Sequence, residues 1–180
     1  MGYLDKFRFC PVCGSSGFSD HDFKSRVCPA CGFVFYYNAA AACAAIITNE
    51  RGEMLVGIRG EEPCKGTLDL IGGFVDPGES AEEAIVREVR EETGIDLKKL
   101  SDEGLCSIEY MRSYDSTYVY SGFEIRTCDS MFKITIPSSV ELKASDDVAS
   151  CFWMPTEEVD PSRFGLKSIR QTVNDYLNAI

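Results

Sequence analysis

The stretch GFVDPGESAEEAIVREVREETGI, residues 73–95, constrains this chain more than any other. Ser80 is a favourable helix N-cap, and Glu83 three places on completes a capping box. The run AEEAIVREVREET holds neither Gly nor Pro, so nothing interrupts the helix it starts. Gly94 then supplies the left-handed position that stops it. On that helix Glu88, Glu91 and Glu92 stand at i, i+3 and i+4 and share one stripe. Ala81, Ala84, Ile85 and Val89 fall on the neighbouring stripe, which places the carboxylates at the margin of the buried face.

Three carboxylates this close repel, and partial burial raises their pKa. A divalent cation removes both objections. Hard oxygen ligands suit Mg²⁺ or Mn²⁺, and Mg²⁺ is usually held by a few carboxylates together with substrate phosphates. Arg87 can pair with Glu83 or Glu91 one turn away, or with Glu79 just ahead of the helix. Gly72, Gly73 and Gly78 make a loop in which backbone can approach a ligand closely. A solvated acidic face is the ordinary reading of three glutamates alone. The glycines, the arginine and the spacing together argue against it here.

This stretch resembles the Nudix box, G-x5-E-x7-R-E-U-x-E-E-x-G-U with U aliphatic. The match runs through Gly73, Glu79, Arg87, Glu88, Val89, Glu91, Glu92, Gly94 and Ile95. The resemblance implies an α/β fold, a mixed β-sheet sandwiched between helices. It also implies hydrolysis of nucleoside diphosphates linked to another moiety. In such a site Glu88, Glu91, Glu92 and the Gly72 carbonyl would hold Mg²⁺ or Mn²⁺, and one of these glutamates or a downstream acid would be the base. Glu79 and Arg87 would order the loop. Asp147 is the downstream acid by its spacing to Trp153, with Asp146 and Glu141 as alternatives and a solvated loop as the plain reading.

A second signal lies at the N-terminus. Cys10-Pro-Val-Cys13-Gly and Cys28-Pro-Ala-Cys31-Gly are near-identical knuckles, and four thiolates at this spacing suit tetrahedral Zn²⁺. Residues 1–37 are therefore expected to form a zinc ribbon, with strands in FSDHDFKSRV and FVFYY. So small a unit needs its metal in order to fold. With no open coordination position the zinc is structural. Two redox C-x-x-C pairs are the rival reading. The lone histidine, His21, is read as a surface residue. The ribbon carries no basic stripe, and the whole chain has a formal net charge of −11. That balance disfavours nucleic acid and anionic membrane as partners. No apolar run is long enough to span a bilayer, and MGYLDKFRFC lacks a signal-peptide core. Nine cysteines, four with metal spacing, fit a reducing compartment, so a cytoplasmic location is expected.

Residues 38–180 are expected to form one domain. Within it 39–48 and 53–59 are predicted strands joined by Asn49–Gly52, the first Ala-rich enough to leave room for a helix or a ligand. A loop and a short strand in 60–72 lead into the helix. Leu105–Met111, Thr117–Ile125 and Met131–Ile136 are predicted as further strands, and an amphipathic helix closes the chain with Ile169, Val173, Tyr176 and Leu177 on one side. Arg59 is either a surface arginine or a partner for phosphate or glutamate. Tyr118, Tyr120 and Phe123 are either sheet packing or a stacking surface for a nucleobase.

A ribbon followed by a Nudix domain is similar to NADH pyrophosphatases. This chain departs from them in lacking their SQPWPFPxS array after the box; nothing like it occurs between Ser107 and Phe132. The expected function is metal-dependent cleavage of a pyrophosphate bond in NADH, ADP-ribose or a similar small molecule. A Nudix-fold module that binds or senses such a nucleotide is one alternative, and hydrolysis of a nucleotide cap on RNA is another. A homodimer is compatible with either.

Overall fold

Short runs flanking the cysteine knuckles fold as three strands, β1 (Ser19–Asp22), β2 (Ser25–Val27) and β3 (Val34–Tyr36), paired antiparallel in that order. The segment expected as one strand, FSDHDFKSRV, is a hairpin instead. Asp22 accepts a hydrogen bond from the Lys24 amide at 2.8 Å and turns the chain between β1 and β2. These strands belong to the first of two compact units, Met1–Ala39; the second is Ala40–Ile180. The computed structural model describes residues 4–120, 122–143 and 148–180.

The second unit is built on β4 (Ala40–Thr48). Its alanines would suit a helix, but its two faces supply two separate cores. Cys43, Ala45 and Ile47 enter one hydrophobic cluster, Ala44 and Ile46 the other. Around β4 lie β5 (Glu53–Arg59), β6 (Leu68–Asp69), β7 (Ile71–Phe74), β8 (Ser107–Tyr120), β9 (Phe123–Thr135) and β10 (Val148–Pro155). The sheet order is β10-β5-β4-β9-β8, with β7 added to β4 and β6 to β5. It is mixed: β4 runs parallel to β9 and antiparallel to β5 and β7. Helix α1 (Ala81–Thr93) and the short α2 (Leu97–Asp102) pack on the first cluster, α3 (Lys167–Leu177) on the second. This is the sandwich that the resemblance implies.

Several elements differ from expectation. Thr117–Ile125 is not one strand. Gly122 takes a left-handed conformation at φ 71°, and a hairpin closes on the Tyr120–Phe123 pair. Alternation on both sides of that turn imitates a continuous strand. The flanking strands are also longer than expected, because polar residues such as Arg112–Thr117 continue β8 along the open sheet edge. Helix α2 and strand β10 were not anticipated: α2 has one turn and a half, and β10 follows acidic residues read as loop. Among the described residues no helix is long and apolar enough to cross a membrane.

Candidate active site

Helix α1 begins and ends as its sequence dictates. The Ser80 hydroxyl accepts from the Glu83 amide at 3.2 Å, the Glu83 carboxylate accepts from the Ser80 amide at 2.8 Å, and Gly94 closes the helix at φ 74°. With both ends fixed, the rotation of the helix is set by Ala84, Ile85 and Val89, all fully buried. The stripe beside them then turns toward the β4–β7 edge. Glu92 is 5% exposed, deeper than the margin its sequence position suggests. It is held there because its carboxylate accepts from the Gly72 amide at 3.1 Å.

Arg87 gathers the other acids. Its Nη2 lies 2.6 Å from Glu79 Oε1, and its Nη1 lies 2.8 Å from Glu88 and 2.9 Å from Glu91. Nη2 also donates to the Phe74 carbonyl at 3.0 Å. The Glu79 bond, then Glu88 and Glu91, outweigh burial and push the guanidinium pKa up. In return Arg87 and the Asp76 amide hold Glu79 below the usual carboxylate range. These three carboxylates therefore face one cation, with Glu92 beside them on the same stripe, an excess of negative charge suited to a hard divalent ion. The donors fit such an ion by chemistry, with the Gly72 backbone alongside them.

The two glycines make the approach. Gly72 has φ 154°, and a Cβ there would lie 2.2 Å from the Cys43 carbonyl oxygen. A Cβ on Gly73 would lie 2.5 Å from Glu88 Oε1. Beneath them burial, helped by the charge of Glu88, raises the Cys43 thiol to about 12, so it is a neutral apolar floor.

Gly72, Arg87, Glu88, Glu91 and Glu92 all line one cavity of about 360 Å³, and so do Arg59 and Tyr118. Arg59 is already committed there, ion-paired with Asp69 and donating to the Pro63 carbonyl at 2.8 Å. Tyr118 packs edge-on against Phe74, with ring centroids 5.6 Å apart. Glu79 acts on the cavity only through Arg87. Tyr120 and Phe123 are not among the lining residues; they form the tip of the β8–β9 hairpin, where Tyr120 is exposed. Asp147 and Asp146 lie outside the described residues, and Glu141 is exposed and off the cavity. Asp69, Thr127, Asp129 and Ser168 also line it, which the sequence reading had missed. The available signal was strand parity: Thr127, Asp129 and Met131 fall on one face of β9.

In the Met1–Ala39 unit, the thiols of Cys10, Cys13, Cys28 and Cys31 have their sulfurs within 4.8 Å of one another. This is the one cluster among the described residues that is closed to that degree. Cys10 and Cys31 stand 3.7 Å apart, Cys13 and Cys28 3.6 Å. A tetrahedron with Zn–S of about 2.3 Å needs edges of about 3.8 Å, so the four sulfurs fit zinc. The knuckles are alike: Gly14 donates to the Cys10 carbonyl at 2.9 Å and Gly32 to the Cys28 carbonyl at 2.8 Å, both glycines left-handed. Burial raises the Cys28 thiol, but the Cys31 and Ala30 amides and the neighbouring thiols outweigh it and bring it to about 6.

The NUDIX domain family model matches residues 38–175. The chain is 35% identical over 95 residues to NAD-capped RNA hydrolase NudC of Stutzerimonas stutzeri, covering 53% of this chain and 34% of that protein. It is 34% identical over 98 residues to NudC of Chromobacterium violaceum, covering 54% and 36%. The aligned region is thus about a third of the length of these curated relatives. A NUDIX hydrolase from Nitrosomonas europaea superposes with TM-score 0.69 at 18% identity, over 95% of this chain and 90% of that one. The NUDIX domain of Shewanella oneidensis NrtR, complexed with ADP ribose, superposes with TM-score 0.61 at 16% identity, over 80% and 90%. With the sandwich fold, the box residues on one cavity and a family model spanning most of its length, the chain belongs to the NUDIX domain family.

Proposed function

We propose that this chain is a Mg²⁺- or Mn²⁺-dependent pyrophosphohydrolase of small nucleoside diphosphates linked to a second group, such as ADP-ribose or NADH. One observation carries the reading: Glu88, Glu91, Glu92 and Arg87 meet the Gly72–Gly73 backbone on a single cavity wall. Glu88, Glu91, Glu92 and the Gly72 carbonyl would hold the cation, with Asp147 as a downstream candidate. When bound, the ion screens the phosphates and acidifies the attacking water. One of the glutamates takes the proton of that water. The water oxygen bonds to phosphorus, the bridging P–O bond breaks, and two monophosphates leave. Glu92 keeps the glycine loop in register through the Gly72 amide, and Arg87, anchored by Glu79, orients Glu88 and Glu91. In the same proposal residues 1–37 are a ribbon with one structural Zn²⁺ on Cys10, Cys13, Cys28 and Cys31, and residues 38–180 are the hydrolase domain.

The names of the relatives favour a second substrate class, NAD-capped RNA. A net charge of −11 weighs against binding the RNA body. The test is release of nucleoside monophosphate from NADH, ADP-ribose, nucleotide-sugars, dinucleoside polyphosphates, FAD and NAD-capped RNA, with Mg²⁺ or Mn²⁺ and with chelator. The expected result is metal-dependent turnover of several small diphosphates. Tight ADP-ribose binding with no turnover of any of them would assign the chain to nucleotide sensing instead.

A further inference from the structure

Asp129 is an acid of the cavity that the machinery above does not use. Asp129, on β9, is 8% exposed and lines the cavity, and its Oδ1 is buried with no hydrogen-bond partner. A buried carboxylate oxygen without a donor is costly, and native structures rarely keep one unless something else supplies the donor. Its strand neighbours do not supply one. Across β4 its partner is Ala42, which has no polar side chain. Across β8 its partner is Tyr114, whose hydroxyl donates to Asp175 at 2.7 Å. Arg59, a cation on the same cavity, is bound to Asp69 and Pro63.

Asp129 is also separate from the acid stripe. It shares its strand face with Met131, which packs in the cluster under α3, whereas the glutamates ride on α1 over the opposite cluster. The cavity therefore has an anionic end for cation and phosphate, and a wall of different character. That wall is made of Ala42, Ala44, Thr127, Asp129 and Met131, with Ser168 from α3. The alanines leave flat space beside the carboxylate. A volume of about 360 Å³ is of the size that holds one small-molecule group. A carboxylate only accepts hydrogen bonds, so the group it completes must present a donor, and the flat space beside it suits the amino group of a planar ring.

We propose that Asp129 reads the nucleobase, accepting a hydrogen bond from an exocyclic amino group while the diphosphate lies at the glutamate end. This rests on the pyrophosphohydrolase reading for the diphosphate, though not for the base. A 6-amino purine gives Asp129 a donor. A 6-oxo purine puts a carbonyl oxygen at the same place, where it meets the carboxylate and leaves both acceptors unpaired.

Two readouts test this. The first is metal-free titration calorimetry with AMP and IMP. The second is the ratio of kcat/KM for ADP-ribose over its 6-oxo analogue, inosine diphosphate ribose. Wild type is expected to favour the amino form by about tenfold or more in each, about 1.4 kcal/mol. In Asp129→Asn, nearly isosteric and able to donate as well as accept, both preferences are expected to fall to within about threefold. Equal affinity of the wild type for AMP and IMP overturns the inference, and so does an undiminished preference in Asp129→Asn. If neither substrate is hydrolysed yet AMP still binds more tightly than IMP, the base-reading role stands and the pyrophosphohydrolase reading falls.

Discussion

Gly72 and Gly73 are neighbours, and each excludes a side chain for a different reason. At Gly72 the obstacle is backbone: φ is 154°, and a Cβ would overlap the Cys43 carbonyl and the Ala44 Cα. Neither can retreat without breaking the β4–β7 pairing. Gly72→Ala should cost about 3 kcal/mol or more in stability, combining strain with overpacking. At Gly73 the obstacle is the end of the Glu88 side chain, which can swing away. Gly73→Ala should melt within a few degrees of wild type but lose about 10² or more in turnover, because Glu88 is displaced. Denaturant unfolding and kcat for the two variants check the contrast; an active Gly73→Ala enzyme would show that the position of Glu88 does not matter. At this scale the box residues were legible, since the motif fixes their types and spacing. Asp129 was not: nothing in RSYDST or RTCDSM says which side of the strand a lone acid faces until β9 is paired with β4. The commitment of Arg59 to Asp69 is equally a matter of β5 meeting β6.

Elements whose signals are local came out as read. The capping box, the uninterrupted run and Gly94 lie within fifteen residues, so α1 is determined by its own sequence. The zinc knuckles are local in the same sense. They lead to an element-scale prediction: protein purified without chelator should contain one Zn²⁺ per chain. Removing it, or replacing Cys28 with Ser, should abolish amide protection in residues 4–39. The unit has a core of only a few phenylalanines around Cys10 and Cys28, too little to fold without the metal. Metal analysis finding no zinc would refute this. The hairpin at Gly122 was misread because alternation continues through a tight turn, and only pairing between β8 and β9 shows where the chain reverses. Residues 112–117 of β8 are mostly polar at an open sheet edge, so hydrophobic pattern alone ends the first predicted strand too early.

Across the whole second unit, two helices on opposite sheet faces contribute to one cavity, α1 with the acid stripe and α3 with Ser168 and Ile169. Substrate choice belongs to this scale. The chain lacks the array associated with NADH selectivity, and Tyr118 is the one aromatic of the expected three that reaches the cavity. A stacking contact tolerates many partners beyond the first nucleotide. The kcat/KM values for NADH and ADP-ribose are therefore expected to lie within about tenfold of each other, about 1.4 kcal/mol. A hundredfold preference for NADH would mean another part of the cavity reads the nicotinamide. The central claim is that the α1 carboxylates perform metal-dependent cleavage of a pyrophosphate bond. Glu92→Gln tests it most directly, because glutamine keeps the bulk and can still accept from the Gly72 amide, while the charge is lost. Measured as AMP released from ADP-ribose across a Mg²⁺ titration, turnover should fall by about 10² or more with the fold intact. Turnover and Mg²⁺ dependence equal to wild type would contradict the account.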